Sequence, residues 1–150
     1  MDDATDLREA GLRVTAARLA ILEAVRAGDH SDAEHIARDV RAKVGHVSTQ
    51  AVYDALHALT GARLLRRIEP AGSAARYEAR VGDNHHHLVC RRCGAVADTD
   101  CVVGLAPCLV PSDTHGFTVD EAEVVFWGVC PQCQVGSGDP RGDGAAKRAP

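Results

Sequence analysis

Two Cys-x-x-Cys pairs, CRRC at 90–93 and CPQC at 130–133, are the sharpest chemical feature of the sequence. Two residues between cysteines let both thiolates face one ion, and Gly94 follows the first pair where a tight turn needs it. Four thiolates in a tetrahedron leave no coordination position open. The set Cys90, Cys93, Cys130 and Cys133 therefore suits a structural Zn(II), not a catalytic one. The 36 residues between the pairs would make such an ion the closure of a whole β-rich unit. The alternatives are two disulfides or a redox dithiol. A matched double pair favours zinc, and no βαβ pattern surrounds either pair as a dithiol oxidoreductase would need. Cys101 and Cys108 read as small buried hydrophobes and receive no role.

A second group stands just before the first pair, at His85-His86-His87. On a strand, successive side chains alternate faces, so His85 and His87 share one face and His86 points away. Two imidazoles so placed are half of a divalent-metal site. Glu78 and Asp98 are the carboxylates within reach in sequence, and mixed nitrogen and oxygen ligands suit Fe(II), Mn(II) or Zn(II). The other reading is a run of exposed, solvated histidines, and the residues by themselves leave both open. A zinc hydrolase is disfavoured, because no HExxH motif or evident general base accompanies the histidines.

The elements that must position these groups are legible in outline. Segment 15–27 reads as a helix with Thr15 as N-cap and an apolar stripe of Leu19, Ile21, Leu22 and Val25. Segment 31–44 opens with Ser31-x-x-Glu34, which predicts a capping box. Segment 48–61 opens with Ser48, buries Val52, Leu56 and Leu59, and has Gly61 as its expected C-cap. Two β-like runs, 64–69 and 75–80, flank the turn residues Pro70, Gly72 and Ser73. Three helices and a two-stranded ribbon make a winged helix-turn-helix. Beyond Gly82-Asp83-Asn84, strands are expected at 85–90, 95–100 and 118–130, with irregular or short helical structure over 101–117.

The fold class is thus α+β, with a winged helix-turn-helix over 1–81, a hinge at 82–84, a zinc-stapled second domain over 85–134 and a disordered tail at 135–150. Apolar residues reach 45% but aromatics only 3%, so the cores are aliphatic and a small domain would want a staple. The net charge is −4. Residues 1–80 carry 12 basic and 12 acidic groups, and residues 81–150 carry 5 and 9, so the acidic excess lies in the second half. A neutral first half can still present a basic face to phosphate. The acidic, polar start MDDATDLREAG is unlike a signal peptide, and no apolar run approaches the roughly 18 residues of a membrane span. A cytoplasmic protein without a membrane partner is expected, where paired cysteines hold metal before disulfides.

GLRVTAARLAILEAV, the helix containing VYDALHAL, and HHHLVCRRCG followed by a distant CPQC together resemble the ferric uptake regulator family, from about residue 7 to residue 133. In detail the chain is most similar to an actinobacterial branch that accompanies catalase-peroxidase genes, and it shares features with the peroxide-sensing regulators. The resemblance implies a winged-helix DNA-binding domain, an α/β dimerisation domain, and a metal site spanning the hinge. Carried over residue by residue, that site is His30, Glu78, His85, His87 and Asp98, holding Fe(II) or Mn(II). Another family site pairs a histidine of the HxH region with later ligands. The later positions here are Leu105 and Ala122, so that site is not expected, although His86, His115 or Glu123 could substitute.

The resemblance also implies DNA contacts. Ser48, Thr49, Gln50 and Tyr53 would enter the major groove, with Gln50 suited to adenine and Tyr53 to a thymine methyl. Arg13 matches a basic residue that reaches toward the minor groove, and Arg63, Arg66, Arg67 and Arg76 would hold phosphates. Asp54, where the family commonly has Arg or Asn, could instead accept from a cytosine amine. The resemblance implies a homodimer and an A/T-rich operator, and the two-fold symmetry of such a dimer makes the operator palindromic. The expected function is a metal-dependent repressor of oxidative-stress defence genes, inactivated by peroxide or metal loss. The alternative is an iron-level sensor acting on uptake genes. Asp at position 98, where iron-level sensors more often carry Glu, favours peroxide. A constitutive, metal-stabilised DNA-binding module without sensing is the remaining reading.

Overall fold

A computed structural model describes residues 2–28, 30–83, 85–101, 109–120 and 122–135. Asn84, Leu105, Cys108 and residues 136–150, which include nearly all of the expected tail, lie outside this set.

The chain opens with a helix that its polar composition did not announce, α1 (Asp3–Glu9). One fully buried residue, Leu7, docks it, and Arg26 pairs with Asp3 and Asp6. Helix α2 (Ala16–Ala27) begins where Thr15 accepts a hydrogen bond from the Arg18 amide at 3.2 Å, as its sequence predicts. Helix α3 (Ala33–Val44) differs from expectation at its start. Its N-cap is Asp32, whose carboxylate accepts from the His35 amide at 2.8 Å. The expected capping box does not form, because Ser31 and Asp32 make a short strand β1 (Ser31–Asp32) before the helix begins. Pairing with a strand requires extended backbone there, which moves the cap one residue on.

Helix α4 (Thr49–Gly61) is capped by the Ser48 hydroxyl, which accepts from the Ala51 amide at 3.1 Å. Gly61 is its last helical residue, and the C-cap is Ala62, one residue beyond the expected one. Arg63 takes the left-handed conformation, φ 57°; its N–H donates to Thr60 O and the Leu64 N–H donates to Leu59 O, both at 3.0 Å. This is a Schellman closure with arginine where glycine is usual. It lets Leu64 and Leu65 turn back onto the core.

Strands β2 (Arg66–Ile68) and β3 (Arg76–Glu78) form the wing, each shorter than the apolar pattern suggests. β1 joins β3 on its other side, giving an antiparallel sheet of order β1-β3-β2. The core beneath it is aliphatic. Ile21, Leu22 and Val25 of α2 meet Ile36 and Val40 of α3 and Val52, Leu56 and Leu59 of α4, with Tyr77 closing from the sheet. Truncating one such leucine to alanine costs about 2–5 kcal/mol.

A second sheet follows, of order β5-β4-β6, with β4 (His85–Cys90) central, β5 (Val96–Asp100) antiparallel to it and β6 (Val125–Gly128) parallel. The expected strand over 118–130 is reduced to four residues, aligned with His87–Cys90. β4 ends at Cys90, where the chain enters the first cysteine turn, and the pairing with β6 closes there at Gly128. A short helix α5 (Pro131–Val135) carries the last cysteine. Among the described residues, no helix is long and apolar enough to cross a membrane.

Candidate metal centre

Five side chains from four segments of the chain converge on one point. His30 lies between α2 and β1 with φ 53°, a left-handed conformation uncommon outside glycine. Glu78 ends β3, His85 and His87 lie on one face of β4, and Asp98 sits on β5 directly across from His87. Glu78 Oε2 is 2.9 Å from His30 Nε2 and 3.1 Å from His87 Nε2, and its Oε1 is 3.0 Å from His85 Nε2. Asp98 Oδ1 is 2.8 Å from His30 Nε2, 3.6 Å from His87 Nε2 and 4.0 Å from His85 Nε2. His30, Glu78, His87 and Asp98 offer ligand atoms all within 4.8 Å of one another. His85 turns its Nε2 to the same carboxylates.

The three histidines and Glu78 are buried, so the alternative of a solvated histidine run is overturned. A buried carboxylate facing three imidazoles is costly to assemble without purpose. Burial works against the Glu78 anion, yet hydrogen bonds with His30 and His87 and the proximity of His85 hold its carboxyl well below the usual range. Three imidazole nitrogens and two carboxylates fit a divalent ion of the Fe(II), Mn(II) or Zn(II) class. His86 points to the opposite face, against the Phe126 ring at 6.3 Å between centroids. His115 is exposed beside Asp113, and Glu123 is exposed too.

Sequence reasoning missed the residues that orient these ligands. Asp83 Oδ1 lies 2.6 Å from His85 Nδ1, which fixes the ring so that Nε2 faces inward. Burial opposes ionisation of Asp83, but His85 and Arg80 hold its carboxyl below its ordinary value. Arg80 pairs with Asp83 and Asp100 and stands 3.7 Å from Asp98 Oδ2. The available signal was Asp83 lying one strand period before His85.

The four cysteines also converge. Their sulfurs lie within 4.8 Å of one another, with Cys93 and Cys130 at 3.6 Å. A zinc tetrahedron with Zn–S bonds of about 2.3 Å has edges of about 3.8 Å, so the cluster fits the ion. Backbone hydrogen bonds from Cys130 and Cys93 pull the Cys90 thiol down to about 6. The thiols of Cys93 and Cys130 push Cys133 up to about 12. Cation binding here must therefore displace protons. Arg92 donates to the Cys133 carbonyl at 2.9 Å, and Arg91 stacks over the Trp127 ring at 5.1 Å. Both residues between the first cysteines thus reach the segment that carries the second pair.

The expected DNA-contacting residues divide. Ser48, Thr49, Gln50 and Tyr53 are exposed at the start of α4, and Arg13 is exposed before α2. Gln50 donates to Asp54 at 2.7 Å, so this pair is preformed on the helix surface. A groove of about 700 Å³ runs between α4 and the wing, lined by Tyr53, Asp54, His57 and Arg67 among others. Arg63 and Arg67 are exposed, and Arg67 is paired with Glu69 at 2.7 Å. Arg66 and Arg76 turn inward: Arg66 Nε is 3.7 Å from Glu78 Oε1, and Arg76 bonds two backbone carbonyls.

A family model described as the ferric uptake regulator family matches residues 9–103. The chain belongs to this family. Transcriptional regulator FurA of Mycobacterium tuberculosis is 61% identical over 134 residues, covering 89% of this chain and 91% of that protein. The ferric uptake regulator of Vibrio cholerae shares the fold, at TM-score 0.66 and 24% identity over 86% of this chain and all of that one. The Pseudomonas aeruginosa regulator, solved with manganese, does so at 0.64 and 24%, over 87% and 99% of the two chains. As a ferric uptake regulator family member, the chain is a metal-responsive transcriptional regulator and not an enzyme.

Proposed function

We propose that the chain is a homodimeric, DNA-binding repressor switched by Fe(II) or Mn(II) at His30, Glu78, His85, His87 and Asp98. Zn(II) on Cys90, Cys93, Cys130 and Cys133 holds the second sheet together. The observation that carries the reading is the origin of the ligands. His30 and Glu78 belong to the helical part and its wing, whereas His85, His87 and Asp98 belong to the second sheet. A cation bound by both sets favours the relative placement that satisfies all of them, and shifts the equilibrium only by its preference for that placement. Residues 1–81 then act as the DNA-binding domain, 82–84 as the hinge and 85–134 as the dimerisation domain. Exposed Leu88 and Phe126 on the second sheet supply apolar surface for the dimer.

Ser48, Thr49, Gln50 and Tyr53 read bases, Arg13 approaches the minor groove and Arg67 with Arg63 contacts phosphate. The operator is palindromic and A/T-rich, matching a two-fold symmetric dimer. Such a regulator works in the cytoplasm. A gel shift on the DNA upstream of the chain's own gene, with and without Mn(II), tests the switch. Binding that Mn(II) strengthens supports it. Equal binding in both would leave a constitutive DNA-binding module.

Peroxide is the favoured signal over iron level, and the regulated genes those of oxidative-stress defence. Asp98 supports this, as a short carboxylate that stands 28% exposed at the rim of an otherwise buried cluster. Bound Fe(II) would supply one-electron reduction of peroxide. The chain's own part is to hold the imidazoles of His30, His85 and His87 against that ion, where they are the nearest oxidisable groups. Sensing of iron level, with repression of uptake genes, is the second reading, and Asp98→Glu separates the two.

A further inference from the structure

One guanidinium ties the two clusters together. Arg76, on β3, donates from Nη1 to the His30 carbonyl at 3.0 Å and from Nη2 to the Gly94 carbonyl at 2.9 Å. His30 supplies a ligand atom to the histidine–carboxylate cluster, and Gly94 closes the first cysteine turn, with its amide bonded to Cys90 O at 2.9 Å. Both carbonyls come from left-handed residues, at φ 53° and 72°. Such turns direct a carbonyl away from any regular ladder, and a carbonyl out of water needs a donor. The planar fork of arginine presents two donors in a fixed geometry that a single ammonium cannot match.

We propose that Arg76 is a positioning residue that couples the two metal sites. The inference rests on the reading above, that both clusters hold metal. A cation in the histidine cluster fixes His30. Fixed His30 holds one arm of Arg76, and the other arm holds Gly94 and the turn between Cys93 and Ala95. Zinc in the cysteine cluster acts on the same fork from the other end. Coupling of this kind is reciprocal, so each metal tightens the hold on the other. The acceptors of Arg76 are then internal, which separates it from the exposed Arg67 on the wing and the exposed Arg63 after α4.

The test uses the full chain, zinc-loaded, with Mn(II) as the probe of the histidine cluster. Zinc transfer to a zinc-selective fluorescent chelator is timed with and without saturating Mn(II). In the parent, Mn(II) should slow zinc release about 5-fold or more, within the usual range of coupling between sites. Arg76→Gln should bind one zinc and one Mn(II) but lose the slowing. Arg76→Lys, which reaches one carbonyl at a time, should keep a fraction of it and carries the test if the glutamine variant does not fold. Equal slowing in parent and variants, or no slowing in a parent that binds both metals, overturns the coupling. So does an Arg76→Gln protein that loses only DNA affinity, which would make Arg76 a phosphate contact. A parent that binds zinc but no Mn(II) would instead overturn the two-site reading beneath it.

Discussion

His30 Nε2 and Asp98 Oδ1 stand 2.8 Å apart, one on the turn after the second helix and the other on the far edge of the second sheet. No regular backbone ladder joins these two places, since β1 and β5 belong to different sheets. Their contact therefore reports the relative placement of the two parts of the chain. A ligand that either draws them together or drives them apart acts on that placement directly.

Cys93→Ser is expected to lose zinc and, with it, the stable dimer. Three thiolates and a hydroxyl hold zinc far less tightly, and zinc binding free energy is here part of the folding free energy. Zinc content and sedimentation are the measurements. A zinc-free variant that still sediments as a well-folded dimer would remove the structural role from this cluster.

Tyr53→Ala and Arg13→Ala are expected to weaken operator binding by roughly 1–3 kcal/mol each while leaving zinc content and dimerisation intact. Both side chains are exposed, so neither truncation opens the core. If both variants bind the operator like the parent, the reading surface lies elsewhere.

The metal-free protein should show a carboxylate signature in its stability. Glu78 has an ordinary value of 4.5, and its folded value is lowered. Its contribution is thus complete above about pH 4.5 and is lost as the pH falls toward the folded value. Glu78→Gln should destabilise the metal-free chain by about 1–3 kcal/mol near neutral pH, as loss of a buried hydrogen-bonded charge does. Urea midpoints of parent and variant should converge on acidification below that point. A gap that stays constant into strong acid would show that Glu78 does not act as an anion there.

Fe(II)-loaded protein treated with peroxide is expected to lose DNA binding with one added oxygen on a peptide containing His30, His85 or His87. Mn(II)-loaded protein should resist, because Mn(II) reduces peroxide poorly by one electron. Asp98→Glu should keep metal-activated DNA binding and blunt the peroxide response. Mass spectrometry of the treated protein separates this from a thiol switch. Zinc loss with cysteine oxidation and unmodified histidines would place the switch at the cysteine cluster.

Local signals carried much of the chain. Thr15 and Ser48 cap the helices they were expected to cap, because a cap needs only the side chain and an amide three residues on. The spacing of the cysteines likewise foretold their convergence, since two short turns and one ion define the geometry. The family resemblance supplied the remaining ligands, His30 among them, and the fold of the known regulators agrees with the architecture. Where local and tertiary demands competed, the tertiary ones won. Ser31 had the sequence of a cap but was drawn into a strand by Tyr77, its partner in β3. Gly61 had the composition of a C-cap, but it stays helical; the cap is Ala62 and the left-handed turn falls on Arg63, from which the chain turns back to bury Leu65.

By itself, then, the sequence determined the three longer helices, the wing, the alternation that puts His85 and His87 on one face, and the four-thiolate set, but not the short helices at the two ends. Each depends on contacts a few residues apart or on a repeated spacing. Only the tertiary structure decided that Asp83 orients His85, that Arg66 faces Glu78, and that Arg76 spans the two clusters. Composition marks an arginine on a wing strand as a candidate for phosphate, because its charge is visible and its direction is not. Direction is set by what lies beneath the strand. For Arg76 that is a pair of left-handed turns, far apart in sequence, whose carbonyls have a donor in its guanidinium.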